Sequence, residues 1–442
     1  MSANDIGQLQ QVVSDLLAEA KKQGASSAEA GVHAQQGLDV TVRLGETETI
    51  EHTNDHGLGV TVFFGNRKGS ANTTDLSPNA VRETVAAACR IARYTSEDPA
   101  AGLADPELMA TNIPDLDLNH PWDLDALQAA EIARECEDAA RGHDQRINNS
   151  EGATLHTQNS LFVYGNSHGF IGGYPTTRHS LSCAVLAGEG DQMQRDYWFT
   201  SDRLPEHLQS AEEVGIEAAQ RTVARLGARK IKTTECPVLF KADLAPGLLR
   251  SMIGAIRGPA LYRKASFLLD QLGEQIFPDW VVIDEDPHKP QGIASAPFDN
   301  EGVATTPRKL VEGGVLQGYV LDSYSARKLG MQTTGNAGGV RNARISSTGE
   351  SLEQLLKRLD TGLLVTEMMG HGSNLVTGDY SRGAAGFWVE NGEIAFPVEE
   401  ITVAGNLKEM FQGLLAVGAD NRIPGSIDTG SWLIERMTVA GD

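Results

Sequence analysis

Several kinds of chemistry are excluded by what this sequence lacks. Only four cysteines occur in 442 residues, Cys89, Cys136, Cys183 and Cys236, and no two form a Cys-x-x-Cys pair. That spacing argues against a zinc ribbon or a disulfide framework and leads us to expect reduced, buried thiols in a cytoplasm. No apolar run approaches the roughly eighteen residues that a membrane span needs. The segment beginning at Met1 has no basic-then-apolar pattern, so no export signal is expected. Basic residues are few, with 37 Lys and Arg against 59 Asp and Glu, a net charge of −22. A field of that sign repels nucleic acid and anionic membrane, and no basic cluster of useful length offsets it. Neither glycine-rich nucleotide motif is present: no Gly-x-x-x-x-Gly-Lys-Ser/Thr, and no Gly-x-Gly-x-x-Gly behind a strand.

Apolar and charged contents of 40% and 22% are those of an ordinary globular protein, and the length allows two or three domains. Residues 5–23 carry apolar side chains at Ile6, Leu9, Val12, Val13, Leu16 and Leu17, a helical stripe closed by Gly24. Alternating segments at 38–44 and 58–64 predict strands. A second helix is expected over 78–94, with Ser77 as cap and Pro78 in the first turn. Residues 97–122, rich in Pro, Asp, Asn and Gly, read as a connector. The pattern then recurs: a helix over 123–141, strand-like pieces at 152–155, 161–164, 181–186 and 196–199, and a helix over 210–226. From Cys236 onward glycine and β-patterned segments dominate, with helices at about 244–256 and 351–358.

These features predict an α+β protein: two similar helix–strands–helix units, residues 1–105 and 106–230, followed by a β-rich C-terminal domain, residues 231–442. The basic stretch Arg229 to Lys232 reads as a solvated linker at the boundary.

Motifs for chemistry are sparse. Among eleven histidines only His52 and His56 have ligand-like spacing, in an expected strand-to-strand turn with no third ligand in view. His371 lies between Gly370 and Gly372, where the backbone could come close to a ligand; a plain loop histidine is the simpler reading. Asp428-Thr429-Gly430-Ser431 matches the tetrapeptide of aspartic proteases, but that mechanism needs two copies and there is one. The residues before it, from Pro424 to Ile427, do not form the apolar strand expected there.

The clearest local feature is a hairpin. Residues 386–398 alternate on both sides of Asn391-Gly392, which accepts the positive φ angles of a type I′ turn. Pro397 suggests an edge or a strand exit. This hairpin, with the segments 260–270, Asp299-Asn300-Glu301-Gly302, Gly335-Asn336 and 376–392, resembles the C-terminal domain of the TldD/PmbA family, on its PmbA (TldE) side. The similar segments run in order through nearly all of 236–442.

The resemblance implies a functional expectation. In the TldD branch a His-Glu-x-x-x-His helix and a distant cysteine bind zinc, because neutral imidazoles and a thiolate hold the metal while an open position activates water. Here Arg250 and Ala255 take the histidine positions, Ser251 the glutamate position, and Thr429 the region of the cysteine. The resemblance therefore implies a non-catalytic subunit with no metal or cofactor of its own, inactive by itself. It also implies a TldD-type partner that carries zinc in a heterodimeric metallopeptidase acting on unfolded or leader peptides, although a homodimer in isolation stays open. An older name for the family invokes modulation of DNA gyrase; the net charge argues against direct DNA binding. Candidate substrate or partner contacts are Tyr262 and Arg263 (beside Lys264), His371, Asp379, Tyr380 and Arg382. Each has a plain structural reading, such as a turn held by an internal salt bridge. Two other functional classes remain open: a stand-alone hydrolase built around His371 and Asp379, and a peptide-binding scaffold without a proteolytic partner.

Overall fold

The computed structural model describes residues 3–423 and 425–441; Pro424 and the first two residues lie outside them. The chain starts with α1 (Ala3–Lys22), whose Leu9, Val13, Leu16 and Ala20 recur at helical spacing and are buried. Strands β1 (Ser27–Arg43), β2 (Glu46–Phe64) and β3 (Arg67–Thr73) follow, then α2 (Pro78–Tyr94). The Ser77 side chain accepts from the Ala80 N–H and caps that helix. A second set consists of α3 (Ala126–His143), β4 (Ile147–Asn166), β5 (Ile171–Ala187), β6 (Gln194–Asp202) and α4 (Ala211–Ala224). Capping boxes at Asp125 and Ser210 start its two helices.

Helix, three strands, helix thus occurs twice. The sequence suggested four strand pieces in the second set because 152–155 and 161–164 belong to one strand, β4. The short pieces at 38–44 and 58–64 likewise lie mostly within strands of 17 and 19 residues. Alternation fades where both faces meet water, as along the exposed first half of β2.

The six strands form one sheet, ordered β3-β2-β1-β4-β5-β6. The halves join where β1 runs antiparallel to β4, with Glu29 opposite Asn166 and Val42 opposite Ala153. Even-numbered residues of β1 point at the helices. Ala28, Ala30 and Val32 pack with α1 and α2, and Leu38, Val40 and Val42 with α3 and α4. Burying such side chains contributes on the order of 1.5–3 kcal/mol for each large aliphatic residue. A Cβ on Gly215 would lie 2.2 Å from the Cys136 carbonyl oxygen, so glycine permits the close approach of α3 and α4.

The C-terminal part comprises β7 (Thr234–Phe240), α5 (Pro246–Ala255), α6 (Gly258–Tyr262), β8 (Ile283–Glu285), β9 (Arg308–Glu312), β10 (Val315–Leu316) and α7 (Ser323–Leu329). It continues with β11 (Ala343–Ile345), α8 (Leu352–Leu359), β12 (Gly362–Met369), β13 (Asp379–Glu390), β14 (Glu393–Asn406), α9 (Leu407–Gln412), β15 (Leu414–Val417), β16 (Ile427–Asp428) and β17 (Trp432–Ala440). One sheet is ordered β14-β13-β12-β7-β17-β15 and curls so that β14 also pairs with β17. The other is ordered β10-β9-β8-β11-β16. Between them lies the largest core, where Phe277 stacks on Phe411 at 4.9 Å and meets Trp432 edge-on. The helices α6, α7 and α9 span 5, 7 and 6 residues, too short for a periodic sequence signal.

The hairpin turn forms at Asn391 (φ 54) and Gly392 (φ 76). Pro397 is not a strand exit, since β14 continues to Asn406. Beside it the strand meets the interdomain segment, where Arg229 N–H donates to the Pro397 carbonyl at 3.2 Å. That segment is therefore docked rather than a solvated linker: the Arg229 guanidinium lies 3.5 Å from the Phe396 ring centroid.

Among the contacts that hold the C-terminal part against the large sheet, two are buried. Phe298 packs edge-on against Phe170 and Tyr174 at 5.1 and 5.5 Å. Arg203, at the end of β6, is buried and donates to the carbonyls of Gly292, Thr177 and Ile293 at 3.0, 3.0 and 2.8 Å. Burial, with the nearby Arg178 charge and against Tyr174 and Asp202, lowers its pKa to about 10, and the three carbonyls satisfy its donors. A cleft opens between the two parts beside these contacts.

Candidate functional site

The helix α5 lies along this cleft. Pro246 stands in its first turn, and Leu248, Leu249, Met252 and Ala255 bury one side in the C-terminal core. Gly247, Arg250, Ser251 and Gly254 lie on the less buried side. Arg250 is exposed and lines the cleft. Ser251 Oγ donates back to the Gly247 carbonyl at 3.1 Å. Ala255 is buried, and its carbonyl accepts from Ser266 Oγ at 2.6 Å. β16 packs against α5, and Thr429 just beyond that strand is buried, its Oγ1 accepting from Trp432 Nε1 at 2.6 Å.

Arg250, Ser251, Ala255 and Thr429, the positions that the resemblance assigns to a zinc motif, thus carry a guanidinium, a hydroxyl turned onto its own helix, a methyl group and a hydroxyl engaged by an indole. None offers an imidazole, thiolate or carboxylate, so this donor set does not fit zinc. Among the described residues, no group of three or more His, Cys, Asp and Glu is placed to hold a metal ion.

The cleft encloses about 700 Å³. One wall comes from the large sheet, with Arg178 on β5 and Trp198 and Phe199 on β6; the other comes from Lys241, Pro246, Arg250 and residues 420–423 and 425–427. Trp198 is sandwiched between two guanidinium groups, Arg221 at 5.0 Å and Arg422 at 5.1 Å. Several charges are paired, Arg422 with Glu217 at 2.8 Å and Arg221 with Asp243 at 2.9 Å. Lys241 follows β7 and donates its backbone N–H to Val365 at 3.1 Å. Burial and the nearby Arg221 charge lower the Lys241 pKa.

The other candidates separate. His52 and His56 do not sit in a turn but in the middle of β2, opposite Leu38 and Ala34. At about 3.3 Å per residue they are roughly 13 Å apart along the strand, too far to share one metal ion. His371 is exposed in the loop between β12 and β13. The same loop covers α5 through Leu375, whose Cδ1 would lie 3.0 Å from a Cβ on Gly254. Asp379, Tyr380 and Arg382 belong to β13 rather than to a loop. Asp379 accepts from Thr377 Oγ1 at 2.6 Å instead of pairing with Arg382. Tyr380 is buried edge-on to Phe240, and that burial raises its pKa despite the adjacent Arg382. Tyr262 stacks edge-on with Tyr324 at 5.9 Å, and Arg263 covers the Tyr262 ring at 5.4 Å. This cluster faces the connector, where the Tyr324 hydroxyl donates to Asp98 at 2.7 Å. Asp428 accepts from Asn421 Nδ2 at 2.6 Å.

Sequence reasoning did not single out Arg178, Lys241 or Trp198. They come from three separate segments, and only the fold brings them to one cleft.

Residues 28–92, 119–226 and 233–441 match in order the first, central and C-terminal domains of the PmbA/TldA metallopeptidases. The chain belongs to the PmbA/TldD family. It falls on the PmbA side: it is 51% identical to the metalloprotease PmbA of Escherichia coli O157:H7, over 96% of this chain and 94% of that protein. Identity drops to 20% against a TldD homologue of Buchnera aphidicola from Acyrthosiphon pisum, over 90% of this chain and 89% of that protein. Among solved structures, a Bacteroides thetaiotaomicron protein described as a modulator of DNA gyrase superposes with a TM-score of 0.93 at 29% identity, over 98% of each chain. The fold is also that of TldE from Thermococcus kodakarensis, with a TM-score of 0.83 at 22% identity, over 97% of this chain and 100% of that one.

Proposed function

We propose that this PmbA-family chain is the subunit without metal ligands in a heterodimeric zinc metallopeptidase, with zinc and the catalytic base in a TldD-type partner. What supports this reading is the chemistry of α5 and its neighbour: Arg250, Ser251, Ala255 and Thr429, which the family resemblance aligns with the TldD-type motif, include no imidazole, thiolate or carboxylate. A cation at the first position repels a divalent metal, and the other three side chains have no ligand to give. On this reading the chain closes one side of a cavity and helps hold unfolded or leader peptides. Strand addition suits that task, because backbone hydrogen bonds read any sequence. Among the described residues the edge of β2 before Leu58 has no strand on its outer side, β3 pairing only with Leu58 to Phe64. The four buried, unpaired thiols fit a reducing cytoplasm.

Zinc content and peptidase activity test the proposal, measured on this chain alone and mixed with a TldD-type protein. The expected result is a metal-free, inactive chain that raises cleavage on mixing. Stoichiometric zinc with chelator-sensitive cleavage by the chain alone would overturn it.

A further inference from the structure

The charges lining the cleft beside α5 do not cancel. With Arg422 bound to Glu217 and Asp243 to Arg221, three cations remain without an ion-pair partner among the described residues: Arg178, Lys241 and Arg250. Arg178 has one polar contact, from Nε to Ser201 Oγ at 3.1 Å. The remaining lining carboxylate, Asp420, keeps its charge but is turned to Ser431, accepting from its N–H at 2.8 Å and its hydroxyl at 2.6 Å. Arg178, Lys241, Arg250 and Arg422 against Glu217, Asp243 and Asp420 thus leave the lining net positive. In a chain of net charge −22, cations left unpaired in a concave site are an exception that calls for a counter-charge. Lys241 is the most telling, because it is half-buried and its ammonium is disfavoured there. An anion entering the cleft would restore that balance, and a carboxylate is matched by guanidinium and ammonium donors alike. The wall also carries apolar surface, from Phe199, Ile293 and Ile427, interspersed with Asn421 and Ser426, which would take a hydrophobic side chain next to the charge.

We propose that this cleft seats the C-terminal carboxylate of a peptide on Arg178, Lys241 and Arg250, with an apolar terminal side chain against Phe199. The proposal rests on the reading of the chain as a peptide-handling subunit, and it adds which end of the peptide this subunit holds. Peptides ending in an apolar residue with a free carboxylate are the preferred class; their amides are not.

The test uses the full chain without a partner. Binding of acetyl-Ala-Ala-Phe with a free carboxylate is followed by tryptophan fluorescence and by calorimetry, against the same peptide as its amide and against inorganic phosphate. The acid is expected to bind at least tenfold more tightly than the amide, and to weaken as salt rises. Arg250→Gln, on an exposed side chain that should leave folding intact, is expected to erase most of that preference. Lys241→Met should do the same, with circular dichroism reporting its fold. Equal binding of acid and amide, or a preference untouched in a folded Arg250→Gln protein, overturns the proposal. Phosphate binding without any acid-over-amide preference overturns it too, leaving only a general anion site. Failure here is separable from failure of the subunit reading: a mixed complex that cleaves normally while the lone chain ignores the carboxylate sinks only the seat. A lone chain that prefers the acid but never raises a partner's cleavage sinks only the subunit assignment.

Discussion

At the scale of single residues, Glu301 shows how burial sets a charge. It accepts from the Ser323 backbone N–H at 3.0 Å, near Asp299 and Asp322. Burial, helped by those two charges and opposed by the Ser323 bond, raises its pKa from 4.5 to about 7. The folded chain therefore keeps this proton up to about pH 7, whereas the unfolded chain loses it near 4.5. Between those values the folded state binds more protons, so this group's stabilising contribution is complete below 4.5 and lost as pH rises through 7. Glu301→Gln keeps an acceptor for Ser323 and removes the titration. Its stability relative to the parent should rise across that window by on the order of 2 kcal/mol, read from urea midpoints at a series of pH values. A difference independent of pH would refute the assignment. The lower neighbour Asp299 works in the same direction, because burial raises its pKa against three backbone N–H donors.

At the scale of elements, two helix glycines carry opposite consequences. Gly7, within α1, has open space where a Cβ would go, whereas on Gly215 in α4 a Cβ would lie 2.2 Å from the Cys136 carbonyl. Gly7→Ala should stabilise the chain by about 0.5–1 kcal/mol through helix propensity alone. Gly215→Ala should destabilise it by about 1–3 kcal/mol, because α3 and α4 must separate. Thermal or urea unfolding of the two variants distinguishes them by sign. The same scale shows what the sequence reveals. The helix over 78–94 and the hairpin around Asn391-Gly392 were legible, since cap, proline and turn residues act locally. The full lengths of β2 and β4 were not, because solvent on both faces of β2 erased its alternation and a bulged register interrupts β4. Histidines four apart looked like a metal pair in an assumed turn; as strand residues His52 and His56 point the same way but stand too far apart.

For the whole molecule, charge and assembly of distant segments dominate. The α+β class and the two repeated units could be read from order and periodicity, while the cleft could not. Its cations sit at positions 178, 241 and 250, and the contact between sheet and C-terminal part that gathers them has no local signature. The net charge of −22 bears on partners directly. The chain should not retard duplex DNA in gel-shift experiments at physiological salt, since a field of that sign repels the phosphate backbone. A shift that weakens steeply with added salt would contradict this.

The seam between β1 and β4 has a further consequence. Equivalent strands of the two repeats meet there antiparallel, with β2 and β3 continuing outward on one side and β5 and β6 on the other. Such an arrangement is self-complementary, the geometry by which two identical copies associate about a two-fold axis. A single repeat would leave the long edge of β1 bare and one flank of its apolar face uncovered. The midline of this sheet is therefore a dimer interface folded into one chain. Once the halves are covalently joined they are free to diverge, so that one can line a cleft while the other presents the open edge of β2.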